Sequence, residues 1–107
     1  EIYEQLELPK DLPSAFVCNS DLAASKLIKA LKEKGYRVPE DISVVGYDDY
    51  LYPGLCDIGI TTYSVDMEKM SQVGMEMLLE RMGGSENPYM MQVIEGKFIK
   101  RDSVQER

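Results

Sequence analysis

Two short apolar runs, AFVC at residues 15–18 and ISVVGY at residues 42–47, flank one amphipathic helical stretch, and each runs directly into hydrogen-bonding side chains. Ser20 stands where a helix N-cap is needed, and Asp21 follows in the first turn, near the positive end of the helix dipole. Leu22, Ala23, Ala24, Leu27, Ile28, Ala30 and Leu31 then recur at helical spacing, with Lys26, Lys29, Lys32 and Glu33 on the other side. Gly35 ends the stretch and Pro39 follows it. Strand, helix and strand in this order predict a parallel unit with a right-handed crossover, so the fold class is α/β with a parallel sheet. The short run at residues 15–18 suits a strand covered on both faces. Asn19, Ser20 and Asp21 end the first strand, and Asp48 and Asp49 end the second. Polar groups gathered at the carboxyl edge of a parallel sheet mark the place where open α/β folds bind ligands. The pattern points to small-molecule recognition.

The remaining segments fit around this unit. Residues 1–8 alternate Glu with Ile, Tyr and Leu and read as the tail of a helix closed by Pro9. Residues 50–59 hold Pro53, Gly54 and Gly59 among Tyr50, Leu51, Tyr52 and Leu55, a loop whose large side chains need cover. Residues 60–63 read as a short strand. Asp66 caps a second helix in which Met67, Met70, Val73, Gly74, Met77, Leu78 and Met82 share one face, with Gly83 and Gly84 as its stop. Residues 92–101 alternate in part and read as a last strand.

Composition removes several function classes. A chain of 107 residues with 44% hydrophobic residues supports one small domain, or a piece of a larger one. With no histidine, His-based general catalysis, Ser-His-Asp and Cys-His pairs and most zinc sites are excluded, and no metal or cofactor is expected. A net charge of −7 opposes contact with a phosphate backbone, so this segment is not expected to touch DNA. Cys18 and Cys56 lie in no metal spacing, and Cys18 reads as a reduced, buried thiol. No apolar run approaches the roughly 18 residues that a membrane helix needs, and the first residues lack the pattern of a signal peptide. A cytoplasmic location is expected.

Four pieces taken in order carry a resemblance: PSAFVCNSDLAA at residues 13–24, GYRVPEDISVVGYDD at 35–49, ITTYSVD at 60–66 and FIKRDS at 98–103. Together they resemble the effector-binding core of the LacI/GalR family of bacterial transcription regulators. The resemblance implies a Rossmann-like sheet with flanking helices, the C-terminal portion of a periplasmic-binding-protein-like domain. It implies that residues 1–107 correspond to the last third of such a regulator, without its DNA-binding headpiece and first subdomain. The implied partners are a small carbohydrate effector, a second copy in a homodimer, and DNA through that headpiece. It also implies that residues 66–82 pack on the other subdomain, so that here their apolar face is exposed or pairs with another copy.

By the same resemblance Asn19 and Asp48 fall on effector-binding positions, and Val65 and Met67 fall where relatives place further contacts. The chemistry agrees for the first two: a carboxylate accepts two hydroxyl hydrogens, and an amide both donates and accepts. Their alternative reading is local, with Asn19 closing a turn and Asp48 capping a loop. Asp49 reads as structural. Ala24, Ile28, Tyr50, Tyr52 and Leu55 are candidates for a dimer interface, the loop members being open equally to packing on themselves. The three lysines read as a solvated face and the methionines of the second helix as core. Two other functions compete: an exported sugar receptor of the same architecture, and a phosphoryl-transfer domain using Asp48 and Asp49 for magnesium. No glycine-rich phosphate loop accompanies the second of these.

Overall fold

The computed structural model describes residues 6–84 and 91–106, in two compact units, Glu1–Ser64 with Lys97–Arg107, and Val65–Gly96. The first holds β1 (Ala15–Val17), α1 (Asp21–Glu33), β2 (Ser43–Val45), β3 (Thr62–Ser64) and β4 (Lys97–Ile99). β1 and β2 are parallel, with Phe16 opposite Val44. Parallel bridges at Val45–Thr61 and Asp48–Ser64 set β3 on the far side of β2, and β4 runs antiparallel to β3 with Phe98 opposite Tyr63. The strand–helix–strand pattern is therefore realised as a parallel βαβ unit extended by two strands.

α1 begins and ends as its residues dictate. Ser20 is extended (φ −157°) and its Oγ accepts the Ala23 N–H at 3.1 Å. At the other end Gly35 adopts φ +89°, Gly35 N–H donates to Lys32 O and Tyr36 N–H to Leu31 O, each at 3.0 Å. These paired bonds to a left-handed glycine satisfy carbonyls that the helix leaves unpaired. Ala24, Leu27, Ile28 and Leu31 form the buried stripe and meet Val38, Ile42, Val44 and Ile60. Full burial of a side chain such as Ile28 or Leu31 contributes roughly 1.5–3 kcal/mol.

That stripe corrects two interface candidates. Ala24 is 0% and Ile28 1% exposed, so both belong to the core beneath α1 and offer nothing to a partner chain. A second correction concerns β1, which is not covered on both faces: Val17 is 85% exposed, because α1 packs against the face of the sheet that Phe16 and Val44 share. Leu6 to Leu8 are not helical, and Pro9 disfavours helical backbone at Leu8, the residue before it. The rest of the predicted tail lies outside the described residues. The last strand is shorter than its alternation suggested, Lys97–Ile99 in place of residues 92–101.

The segment after β4 closes the seam between β2 and β3. Ser103 is fully buried; its Oγ donates to Val44 O and accepts the Thr61 N–H at 2.8 Å, while Val44 N–H donates to Ser103 O at 2.8 Å. Gln105 N–H reaches Ser43 Oγ at 3.1 Å, and Asp102 N–H reaches Gly59 O at 3.0 Å.

In the second unit α2 (Met67–Met82) is capped by Asp66, whose Oδ1 accepts the Lys69 N–H at 3.0 Å. No residue of α2 is buried. Val73 and Met77 are half-buried, and Met67, Met70, Met75, Leu78, Leu79 and Met82 are exposed. The core reading of these methionines is therefore corrected in favour of an exposed face. Among the described residues no helix is long and apolar enough to cross a membrane.

Candidate functional site

The loops that follow β1 and β2 are tied to each other. Cys18 N–H donates to Val45 O at 2.8 Å and Asp21 N–H to Tyr47 O at 2.9 Å, so the parallel pairing continues to the carboxyl ends of both strands. Asn19, exposed, sits between the end of β1 and the Ser20 cap. Asp48, half-buried, sits at the end of β2, where its N–H donates to Tyr63 O at 3.0 Å. Strand pairing thus brings Asn19 and Asp48 to one edge of the sheet, as their positions after apolar strands implied.

Asp48 and Asp49 both have positive φ, +95° and +54°. Left-handed backbone is uncommon outside glycine, and such positions, costing on the order of 1–3 kcal/mol, cluster at functional sites. Here surrounding bonds hold them. Asp48 Oδ1 accepts the Tyr50 N–H at 2.9 Å, an Asx-type turn, and lies 3.5 Å from the Asp21 N–H. The local capping role weighed from the sequence is therefore present at Asp48 Oδ1. Asp49 Oδ1 pairs with the Arg101 guanidinium at 2.8 Å, in accord with a structural part for this residue.

Asp21 is the residue whose importance the sequence understated. It is 1% exposed, and its Oδ1 occupies the space a β-carbon on Gly46 would need. Burial pushes its pKa up; Thr62 opposes this, Asp48 and Asp49 raise it further, and Arg101 lowers it. Thr62 Oγ1, also buried, is close enough to lower that pKa, although neither it nor Asp21 Oδ1 makes a well-aligned hydrogen bond among the described residues. The Cys18 thiol is half-buried, and burial followed by the Asp21 charge raises its pKa, so it is a poor nucleophile. Arg101 and Ser103 were legible only as part of the FIKRDS motif, without their individual roles.

The other candidates lie elsewhere. Val65 opens the second unit, half-buried, and Met67 is the first residue of α2, exposed. Tyr50, Tyr52 and Leu55 are exposed, the two rings 6.4 Å apart and tilted, whereas Leu51 and Cys56 in the same loop pack on the core. A groove of about 510 Å³ runs between α1 and this loop and is lined in part by Leu22, Lys26, Lys29, Lys32, Leu55 and Asp57. Neither Asn19 nor Asp48 borders it. The lysines line an exposed face, and Lys32 pairs with Asp57. Among the described residues no group of three His, Cys, Asp or Glu side chains could hold a metal.

Comparison with known proteins places this geometry. The chain is 36% identical over 78 residues to the arabinose metabolism transcriptional repressor of Geobacillus stearothermophilus, covering 72% of this chain and 21% of that protein. Among solved structures, the transcriptional regulator CelR in complex with cellobiose superposes with a TM-score of 0.77 at 30% identity, over 84% of this chain and 28% of that one. The lac repressor dimer bound to operator and the anti-inducer ONPF gives a TM-score of 0.75 at 30% identity, over 88% of this chain and 32% of that one. The chain thus spans about a fifth to a third of each. Residues 1–104 match the periplasmic binding protein-like domain. The chain belongs to the periplasmic binding protein-like domain family, in which it stands with the LacI-type transcription regulators.

Proposed function

We propose that this chain is the effector-sensing portion of a cytoplasmic transcription regulator whose effector is a small carbohydrate. Asn19 and Asp48 take effector hydroxyls, and closure of two subdomains around the effector changes operator binding by a headpiece elsewhere in the protein. The chain's part is binding, not catalysis. A homodimer through Tyr50, Tyr52 and Leu55 completes the reading, supported by their exposure on one loop beside the groove along α1. Binding alters the regulator only through its difference in affinity between open and closed states.

The observation that carries the reading is the left-handed Asp48 at the carboxyl end of a central parallel strand, beside Asn19 at the end of the neighbouring one. That Asp48 Oδ1 already accepts a backbone N–H leaves the carboxylate oriented before any ligand arrives. Calorimetric titration of the full-length protein with a sugar panel, followed by the same titration of Asp48→Ala, tests this. Affinity is expected to fall beyond detection in the variant with unfolding temperature little changed. Unchanged affinity for a sugar that binds the native protein rules out the site.

A further inference from the structure

We propose that Arg101 is a positioning residue for the effector site: by clamping the carboxylate of Asp49 it holds the neighbouring Asp48 in its binding conformation, without itself touching the ligand. The inference rests on the reading above and adds to it a residue that works through another. Asp48 and Asp49 are consecutive residues with left-handed backbone, and such a pair persists only where its surroundings over-determine it. Asp48 is held by bonds of its own, its N–H to Tyr63 O at 3.0 Å and the Tyr50 N–H to its Oδ1 at 2.9 Å. Asp49 is held from far along the chain, by the Arg101 guanidinium at 2.8 Å.

The clamp is fixed in turn. One terminal guanidinium nitrogen is on Asp49 Oδ1 and the other donates to Ile60 O at 3.1 Å, a fork that the single ammonium of a lysine does not reproduce. Arg101 N–H donates to Thr61 Oγ1 at 2.9 Å. The stem of the side chain lies against Gly59, where a β-carbon would come within 3.1 Å of Arg101 Cβ. A guanidinium engaged by its own chain at both terminal nitrogens acts on Asp49 and not on a ligand. Residues 59–61 lead into β3, whose last residue Ser64 is where the chain leaves the first unit, and Arg101 follows β4, which begins where the chain returns at Lys97. Arg101 therefore ties the Asp48–Asp49 turn to both of these strands.

Such a clamp shows in affinity more than in stability. Its ion pair is partly exposed, with side chains 36% and 25% accessible, and pairs of that kind contribute little to folding. A carboxylate that must be ordered when the ligand arrives, in contrast, weakens binding directly.

The test is calorimetric titration of the full-length protein and its variants with a sugar that binds the native protein, each variant also being melted thermally. Arg101→Met is expected to stay folded and to bind at least about tenfold more weakly, with Arg101→Lys recovering only part of the loss. Adding Asp49→Gly to Arg101→Met should recover most of it, because glycine takes a positive φ without strain and leaves no orphaned carboxylate. If Arg101→Met does not fold, Asp49→Ala and Asp49→Gly decide the matter with Arg101 in place: both delete the carboxylate, only alanine carries the left-handed strain, and alanine should bind at least about fivefold more weakly than glycine. Native affinity in Arg101→Met, no rescue by Asp49→Gly, or equal binding by the two Asp49 variants overturns the positioning role, and the site assignment still stands if Asp48→Ala abolishes binding in the same series. Binding that survives Asp48→Ala, or silence across the sugar panel from the folded native protein, overturns the site assignment and the positioning role together.

Discussion

Replacing Gly46 by Ala should destabilise the first unit through one specific collision. A β-carbon at residue 46 falls 1.9 Å from Asp21 Oδ1, 3.0 Å from Asp21 Cγ and 3.1 Å from Ile60 Cγ2. The Ile60 contact yields with a shift of a few tenths of an ångström. The Asp21 contact does not, because that carboxylate is 1% exposed at the start of a capped helix, against Thr62 and close to Asp48 and Asp49. Overpacking of a filled interior costs about 1–3 kcal/mol, and the upper half of that range applies where the obstructing group is charged and has no second pocket. With a urea slope of about 1–3 kcal/mol per molar, the denaturation midpoint of the unit should fall by roughly 1 M. The informative comparison is the double variant. Asp21→Ala removes both atoms nearest the new methyl and also a buried, repelled carboxylate, so Gly46→Ala should cost at least about 1 kcal/mol less in its presence. Urea melts of the four proteins, followed by circular dichroism, give the coupling directly. A Gly46→Ala variant within about 0.5 kcal/mol of the native protein, or a double variant with no rescue, would refute the packing of Asp21 against β2.

The raised pKa of Asp21 has a definite sign in stability. Its contribution is fully present below the unfolded carboxylate pKa and is lost as pH rises through the folded value, so the stability advantage of Asp21→Asn over the native protein should grow across that interval; a constant difference from acid to neutral pH contradicts it. Ser103→Ala leaves the buried Thr61 N–H and Val44 O without their side-chain partner and should cost about 2–3 kcal/mol in a chemical melt. Tyr50→Ser combined with Tyr52→Ser should shift the full-length protein from dimer toward monomer in sedimentation velocity without lowering its unfolding temperature, and an unaltered dimer would remove that loop from the interface.

The strand–helix–strand order, both caps of α1 and the edge at which Asn19 and Asp48 meet were legible because each rests on local periodicity or on a residue with one conformational use. Ser20 and Gly35 are such residues. The errors arose where a side chain's fate is decided at a distance. Apolar character in Ala24 and Val17 says that each prefers cover, not whether its own chain supplies it; α1 buries Ala24 and leaves Val17 open. The methionines of α2 misled in the same way. Asp21 was legible as a helix-start residue only, since its burial depends on Gly46 and Thr62, 25 and 41 positions further along the chain. Arg101 and Ser103 act across similar separations.

The Ser103 bridge sets an order in time as well as in space. The hydroxyl that joins Val44 to Thr61 comes from a residue synthesised after the whole of the second unit, 59 positions beyond Val44. A ribosome therefore releases β1, α1 and β2 well before the residue that fastens β3 to them has been made. During that interval β3 lacks both β4 and the tail that bonds to its neighbour Thr61. Because a contact across so long a loop forms only after its closure entropy is met, this closing step should be late and slow relative to the βαβ unit. Nascent chains halted upstream of Ser103 should therefore be cut more readily by proteases than the finished unit.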